Sequence, residues 1–311
     1  MIVDLPNTTV SKVSKSLVQI REQGGAVALG RVLTLVIQTD EATSERAIEA
    51  ANAASREHPS RIIVLIDNPD GGNPALHAEI RVGGDAGASE VIILRPVGEA
   101  ASYPQSLVTG LLLPDAPVVA WWPNLAPEKV SESPIGKIAT RRITDALSQT
   151  DPKAFLQSLA RTYEPGDSDF SWTRLTLWRA QFAALLDQPP YEKIVSVEVV
   201  GDLQNPSVLL LAAWFRQQLG CPVTMEHRFE SAGVKAVYLV RLVRSDSSIE
   251  ILRDQTNIAV LSQTNQPPKE LSLPVRSLRD CLAEDLRRLD SDLAFGKVIT
   301  SGLELLLKEQ R

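Results

Sequence analysis

The sequence is poor in cysteine, histidine and aromatic residues. Among 311 residues there are two cysteines, three histidines and 5% Phe, Trp and Tyr. The two cysteines, Cys221 and Cys281, lack a C-x-x-C spacing, which excludes a disulfide scaffold and fits the reducing cytoplasm where we expect this protein to act. The histidines, His58, His77 and His227, are scattered, without an H-E-x-x-H or His–Cys spacing. We therefore expect no metal site.

The sequence also lacks a long apolar run and a cluster of basic residues. No segment approaches the roughly 18 consecutive apolar residues of a membrane span. The first 20 residues do not have the pattern of a secretory signal peptide. Lys and Arg number 32 against 38 Asp and Glu, a net charge of −6, and no basic block is interleaved with aromatic residues. We expect a protein that binds neither a membrane nor nucleic acid.

Motifs that hold phosphates or activate nucleophiles are missing as well. Gly25 and Gly30 have the spacing of a P-loop, but Arg31 replaces its Lys, and the segment precedes a predicted strand instead of following one. A hairpin turn explains the glycines of residues 83–88, with a phosphate nest as the alternative. The chain contains no G-x-G-x-x-G and no G-x-S-x-G. We predict no cofactor site and no catalytic residues.

Alternating strand-like and helix-like segments predict an α/β fold with two lobes. Residues 31–39 and 61–67 are β-branched and almost continuously apolar, as in strands that are covered on both faces. The alanine-rich residues 42–57 between them have helical spacing. This βαβ unit predicts a mostly parallel first sheet, and residues 76–82 and 89–97 predict an antiparallel hairpin at its edge.

The second half of the chain predicts a mixed α/β sheet closed by helices. A strand over 193–201 leads into a helix over 206–219, and further strands follow near 222–229, 235–243, 248–253 and 257–262. Several strands in succession favour antiparallel pairing. Two helices, near 275–289 and 292–309, end the chain. Residues 128–191 are predicted to be helical and connecting, with one helix over 171–187 whose N-cap is Ser171. We predict an N-terminal domain over 1–165 and a C-terminal domain over 166–311.

Two adjacent tryptophans, Trp121 and Trp122, end a short predicted strand just before Pro123. Successive strand residues point to opposite faces, so the two rings cannot serve one core surface. In an open α/β sheet the carboxyl ends of the strands are where ligands and partners bind, and Trp is a common interface anchor. Two alternatives follow: burial in a sheet covered on both faces, or a recognition surface.

Six segments, in order along almost the whole chain, resemble the glucose-6-phosphate dehydrogenase assembly protein family, OpcA. They are REHPSRIIVL (56–65), GGDAGASE (83–90), LLLPDAPVVAWWP (111–123), PIGKIATRRITDA (134–146), PGDSDFSWTRLTLWR (165–179) and DCLAEDLRRLDSDLAF (280–295). The resemblance implies a non-enzymatic protein that binds glucose-6-phosphate dehydrogenase and promotes its assembly or raises its activity. That enzyme uses NADP and feeds the oxidative pentose phosphate pathway.

The resemblance supplies a partner but no catalytic residues, in agreement with the motif search. As residues that contact the dehydrogenase we predict Trp121, Trp122 and Pro123, with Arg141, Arg142 and Asp145 as nearby polar candidates. Ordinary ion pairing is the alternative for the last three. An alternative of a different class is a sugar-phosphate-binding protein or small-molecule enzyme that uses the carboxyl edge of the first sheet.

Overall fold

The computed structural model of the chain describes residues 1–24, 30–67, 72–83, 90–189, 191–228, 236–253 and 257–309. The chain forms two compact units: unit 1 is Met1–Ser148, Gly166–Ser168 and Leu278–Ser291, and unit 2 is Gln149–Pro165, Asp169–Ser277 and Asp292–Arg311. The predicted α/β class with two lobes is confirmed. Most of the glycine-containing segments 24–31 and 83–88 lies outside the described residues.

The described residues form the following elements, numbered in chain order. The strands are Ile2–Leu5 (β1), Leu33–Thr39 (β2), Ser60–Ile66 (β3), Ala75–Val82 (β4), Glu90–Val97 (β5), Val118–Trp121 (β6), Arg141–Thr144 (β7), Asp167–Asp169 (β8), Ser196–Gly201 (β9), Val223–His227 (β10), Val237–Val243 (β11), Ser248–Leu252 (β12), Ile258–Gln263 (β13) and Lys269–Ser272 (β14). The α-helices are Val10–Gly24 (α1), Glu41–Ala54 (α2), Pro104–Thr109 (α3), Pro152–Thr162 (α4), Phe170–Thr173 (α5), Thr176–Leu186 (α6), Pro206–Leu219 (α7), Leu278–Arg287 (α8), Leu293–Lys297 (α9) and Leu303–Glu309 (α10).

The sheet of unit 1 has the order β1-β4-β5-β3-β2-β6-β7-β8 in the described part of the chain. Strands β5, β3, β2, β6 and β7 pair in parallel, and β2 and β3 are buried almost along their whole length, as strands covered on both faces require. The predicted antiparallel pairing of β4 with β5 is confirmed, but the pair does not lie at the edge of the sheet, because β1 pairs with the other side of β4. The mostly parallel first sheet therefore forms as expected.

Three strands of this sheet were not predicted from the sequence. Strand β1 pairs antiparallel with β4 at the edge of the sheet. Strands β7 and β8 lie within residues 128–191, for which we predicted helices and connections. The prediction was wrong there because β7 contains two arginines, which are rarely buried unless carboxylates neutralise them. The neutralising residues lie far away in the sequence.

The sheet of unit 2 has the order β10-β9-β11-β12-β13-β14 in the part that the structure describes. Only the pairing of β9 with β10 is parallel among these contacts, so the predicted mixed sheet is confirmed. Helix α7 packs against β9 and β10. It ends as predicted at Gly220, whose φ of 65° is a left-handed conformation that glycine adopts without a steric penalty.

Two helix predictions needed correction. We predicted one helix over 171–187 with Ser171 as its N-cap, whereas the structure has α5 and α6, and the Asp169 carboxylate caps α5 by accepting from Ser171 N. The predicted helix over 292–309 contains a π-helical turn, Val298–Gly302, between α9 and α10. In the described ranges no helix is both long enough and apolar enough to cross a membrane.

Each unit is built from several separate stretches of the sequence. We predicted a single domain boundary between 165 and 166, whereas α4, before that boundary, belongs to unit 2 and α8, after it, belongs to unit 1. The buried residues of α4 include Leu156 and Leu159, and α4 packs with α7. Helix α8 packs on α2. An amphipathic helix joins whichever apolar surface it can cover, and its sequence does not show which one that is.

Gly136, at the start of a short 3-10 helix, tests how tightly unit 1 is packed. A Cβ at this position would lie 1.8 Å from Val130 O, which is backbone and cannot move aside cheaply. We expect Gly136→Ala to lower the free energy of unfolding by about 1–3 kcal/mol or more, because overpacking forces the backbone to shift. Chemical denaturation measures this loss.

Gly30→Ala is the matched control, since a Cβ at Gly30 would meet no atom of the described residues within 4 Å. We expect this variant to unfold within about 1 kcal/mol of the wild type, or to be slightly more stable. Equal losses in the two variants would contradict the steric explanation.

Candidate functional site

The candidate site is the place in the first sheet where the strand order changes direction. From β2 the chain continues to β3 on one side, while β6 lies on the other side of β2. In open α/β sheets, ligands bind in the crevice beyond the carboxyl ends of two such strands. We call this region, with Gln38–Asp40, Asp67 and Trp121–Asn124, the carboxyl edge.

Asp40 occupies the position where a phosphate would bind in a nucleotide-binding sheet. It is the N-cap of α2, and its Oδ1 accepts from Thr43 N at 2.8 Å. Glu41 follows in the first turn of the helix. The N-terminus of a helix attracts anions, because its free N–H groups and its dipole both favour negative charge. Here the chain supplies that negative charge itself, so the helix end is already neutralised.

Asn124 connects the ends of β6 and β2. Its Nδ2 donates to the second carboxylate oxygen of Asp40 at 2.6 Å, and its Oδ1 accepts from Thr39 Oγ1 at 3.2 Å. Both oxygens of Asp40 are thus hydrogen-bonded within the chain. These bonds link the end of β6 to the end of β2.

Trp122 joins the same polar network through its indole nitrogen. Its Nε1 donates to Gln38 Oε1 at 3.1 Å, and Gln38 Nε2 donates to Asp67 Oδ1 at 2.9 Å. The pKa of Asp67 is raised above its ordinary value, mainly because burial removes hydration from the carboxylate. The hydrogen bond from Gln38 opposes this rise in pKa, and the nearby charge of Asp40 adds to it. The charged side chains of the carboxyl edge, Asp40 and Asp67, are both carboxylates.

Both tryptophans are buried inside unit 1. The exposed fraction is 0% for Trp121 and 1% for Trp122, and Pro123 is buried beside them. Burial favours the core alternative of the sequence analysis for both rings, because a covered side chain offers no surface to a partner. Contact between these residues and glucose-6-phosphate dehydrogenase stays a prediction.

Arg141, Arg142 and Asp145 are buried as well. The Arg141 guanidinium donates to the carboxylate of Asp285 on α8, and the Arg142 Nε donates to Asp167 Oδ1 at 2.5 Å. These pairs are buried, so the alternative of surface ion pairing does not describe them.

Further hydrogen bonds complete this cluster. Arg141 also donates to Asp290 O at 2.9 Å, and Arg142 to Ala139 O at 3.1 Å. The Asp145 carboxylate accepts from Leu147 N at 3.3 Å. Buried charges of this kind are tolerated when an opposite charge neutralises them, as Asp285 does for Arg141 and Asp167 for Arg142.

Other residues at the carboxyl edge were missed by the sequence analysis. Gln38, Asp40 and Asn124 form the network described above. The available signal was an aspartate directly after each of two buried strands, Asp40 after β2 and Asp67 after β3. Two large apolar side chains stay exposed in the segments that follow β6 and β7: Leu125 is 62% exposed and Leu147 is 40% exposed. They are accessible to a partner, unlike the residues that we predicted.

Within the described residues no group of three or more His, Cys, Asp or Glu side chains could hold a metal ion. Cys221 and Cys281 are both buried and are not joined in a disulfide.

Arg142 provides a test of the buried ion pairs. Arg142→Ala leaves the Asp167 carboxylate buried without its guanidinium, and we expect the free energy of unfolding to fall by about 3–5 kcal/mol. Lys137→Ala, at an exposed neighbouring position, is the control, with an expected change within about 0.5 kcal/mol. Chemical denaturation of both variants decides. A loss of less than 1 kcal/mol for Arg142→Ala would mean that the pair is not a structural requirement.

Solved structures similar to this chain are oxidoreductases of low sequence identity. An oxidoreductase from Sinorhizobium meliloti has a TM-score of 0.51 at 9% identity, with 89% of this chain and 97% of that chain covered. A Gfo/Idh/MocA family oxidoreductase from Vibrio cholerae has a TM-score of 0.46 at 11% identity, with the same coverages. At sequence identities this low, the similarity is one of fold alone. No curated protein matches the chain in sequence.

Family models match both halves of the chain. The model described as the glucose-6-phosphate dehydrogenase subunit N-terminal domain matches residues 51–161, and the model described as its C-terminal domain matches residues 165–299. The two matches follow one another in the expected order and take in most of the chain. The chain therefore belongs to the glucose-6-phosphate dehydrogenase assembly protein family, OpcA.

Proposed function

We propose that this chain is a non-enzymatic assembly factor that binds glucose-6-phosphate dehydrogenase and modulates its activity in the oxidative pentose phosphate pathway. The observation that carries the proposal is the pair of family matches over residues 51–161 and 165–299, whose descriptions name a subunit of that enzyme. We further propose that it acts in the cytoplasm and needs no cofactor of its own.

The carboxyl edge supports a non-enzymatic role. Asp40 places a carboxylate at the N-terminus of α2, where the phosphate of a nucleotide or sugar phosphate would otherwise bind. Like charges repel, and displacing Asp40 would also break its bonds to Thr43 and Asn124. A phosphorylated substrate is therefore disfavoured at the position where this type of sheet most often binds one.

A binding protein can activate an enzyme by selecting one of its conformations. If the chain binds the active form of the dehydrogenase more tightly than the inactive form, the population shifts toward the active form. The shift cannot exceed the difference between the two binding free energies, typically about 1–3 kcal/mol, or about 5- to 150-fold. No bond is made or broken by the assembly factor in this mechanism.

For the residues predicted from the sequence we propose a supporting role at the interface. Trp122 is hydrogen-bonded to Gln38 inside unit 1, and the exposed Leu125 lies three residues later in the chain. In this proposal Trp121, Trp122 and Pro123 hold the segment that presents Leu125 to the dehydrogenase. Arg141, Arg142 and Asp145 hold the neighbouring segment that carries Leu147.

Titration of the purified chain into its cognate dehydrogenase tests the proposed function. We expect a complex of defined mass, and a change in substrate saturation or turnover that reaches a plateau as the complex forms. Mass photometry measures the complex, and initial rates over a range of glucose 6-phosphate measure the kinetics. Turnover of a metabolite by the chain alone, or the absence of a complex, would contradict the proposal.

Trp122→Ala and Leu125→Asp distinguish a residue that holds the segment in place from a residue that contacts the dehydrogenase directly. We expect Trp122→Ala to lower the free energy of unfolding by about 3–5 kcal/mol, because a large buried side chain is lost. Leu125→Asp replaces an exposed side chain and should change stability by less than about 0.5 kcal/mol, while weakening dehydrogenase binding. Unchanged binding by Leu125→Asp, together with unchanged binding by the folded fraction of Trp122→Ala, would remove the carboxyl edge from the interface.

Thermal unfolding in the presence of small molecules tests the alternative of sugar-phosphate binding. We expect NADP and glucose 6-phosphate, without the dehydrogenase, to leave the unfolding temperature of the chain unchanged. A ligand at 100 times its dissociation constant would stabilise the native state by about 2.7 kcal/mol and would be seen easily. A concentration-dependent rise in unfolding temperature would favour the small-molecule function.

A further inference from the structure

The sheet of unit 2 has one covered face and one half-exposed face. On the covered face the inward residues of β9, β11 and β12 are buried; they are Val197, Val199, Val240, Leu242, Ile249 and Ile251. The residues that alternate with them point to the other side. Most of them are partly exposed, including Glu198, Leu239, Arg241, Glu250 and Leu252. We call this second side the open face.

An apolar row crosses the open face. Strand pairing aligns Val200, Leu239, Leu252 and Val260 across β9, β11, β12 and β13. Val200 is buried, and the other three side chains are partly exposed. At the two ends of the row the register places an exposed acidic residue on each edge strand, Glu226 on β10 and Glu270 on β14. The row is thus apolar in the middle and acidic at both ends.

A row of ion pairs runs beside the apolar row. Arg241 contacts Glu198 at 2.7 Å on one side and Glu250 at 2.6 Å on the other, and its side chain is 41% exposed. The hydrogen bond to Glu250 is the main cause that raises the pKa of Arg241. Two carboxylates share one guanidinium, so this row keeps a net negative charge.

The area of the open face suits part of a protein interface. Neighbouring strands lie about 4.8 Å apart and each residue extends a strand by about 3.3 Å. Six strands of about five residues therefore span on the order of 400 Å² in projection. A standard interface takes about 800 Å² of accessible surface from each partner. The open face would supply the central part of such an interface.

Charge decides which kind of partner fits. The two rows carry four carboxylates, on Glu198, Glu226, Glu250 and Glu270, against the single guanidinium of Arg241. Two copies of such a face would repel each other, so a second copy of this chain is disfavoured as the occupant. A surface with apolar side chains bordered by Lys and Arg is complementary to the open face, because its apolar side chains match the apolar row and its positive charges match the carboxylates.

We propose that the open face is a docking surface for glucose-6-phosphate dehydrogenase, whose contacting surface carries apolar side chains bordered by Lys and Arg. The inference rests on the proposed function for the identity of the partner. It adds a surface in unit 2 that the sequence analysis did not predict, because the rows only form once five strand pairings are in register.

A double charge reversal tests the docking surface with little risk to the fold. Glu226→Lys combined with Glu270→Lys changes two exposed positions on edge strands, and we expect dehydrogenase binding to weaken at least tenfold. Binding by the wild type should weaken as ionic strength rises, and this dependence should be smaller in the double variant. Surface plasmon resonance with the immobilised dehydrogenase measures both.

Two further variants complete the experiment. Leu252→Ser removes an apolar side chain from the middle of the row, and we expect at least tenfold weaker binding once circular dichroism shows that the variant is folded. Glu49→Lys combined with Glu57→Lys makes the same change in charge at exposed positions in and just after α2. This control should bind the dehydrogenase as the wild type does.

Each outcome decides between the two proposals. If the wild type does not bind the dehydrogenase, the proposed function fails and the docking surface falls with it. If the wild type binds and the open-face variants bind equally well, the docking surface alone is overturned. If sedimentation shows that the wild type is a dimer and the open-face variants are monomers with unchanged dehydrogenase affinity, the open face joins two copies of the chain instead.

Discussion

The hydrogen bonds of Asp40 are the constraint on which the functional interpretation depends. One carboxylate oxygen caps α2 through Thr43 N, and the other accepts from Asn124 at the end of the neighbouring strand. The Asp40 carboxylate occupies one free N–H group of the helix and offsets the positive end of its dipole, so a phosphate is bound less favourably there. The sheet therefore keeps the strand order of nucleotide-binding folds while its usual binding position is taken by the protein itself.

With Asp40 at the usual phosphate position, the exposed side chains of each unit are the other surfaces on which a partner can bind. Unit 1 exposes Leu125 and Leu147 after two adjacent strands, and unit 2 exposes the two rows of its open face. Apolar side chains next to charged ones are what a protein partner can bury and also distinguish.

Local sequence patterns were sufficient to predict the elements whose periodicity and caps lie within a few residues. The βαβ unit around α2, the hairpin of β4 and β5, and helix α7 with its terminal Gly220 all have periodicities or caps within a few residues. Strand β7 could not be recognised in this way. Its arginines are buried only because Asp167 and Asp285 reach them from 25 and 144 residues away.

The burial of the interface candidates could not be predicted from the sequence for a similar reason. A Trp pair at the end of a strand, and an Arg pair in a short polar segment, are typical of exposed recognition sites and of closed cores alike. Tertiary partners decide between these environments, and for Trp122 the partner is Gln38, 84 residues earlier. The Asp40 network was equally hidden, since a single polar residue after a strand is common.

The bond between Arg141 and Asp285 has a consequence for the order of events during synthesis. Strand β7 leaves the ribosome long before α8. The guanidinium of Arg141 therefore cannot pair with Asp285 until residue 285 has been translated. Domains that are contiguous in sequence fold as units while the rest of the chain is still being made. Unit 1 is not contiguous, and its last segment is added only after Leu278–Ser291 has been translated. Nascent chains that stop before α8 would therefore carry an incomplete first unit.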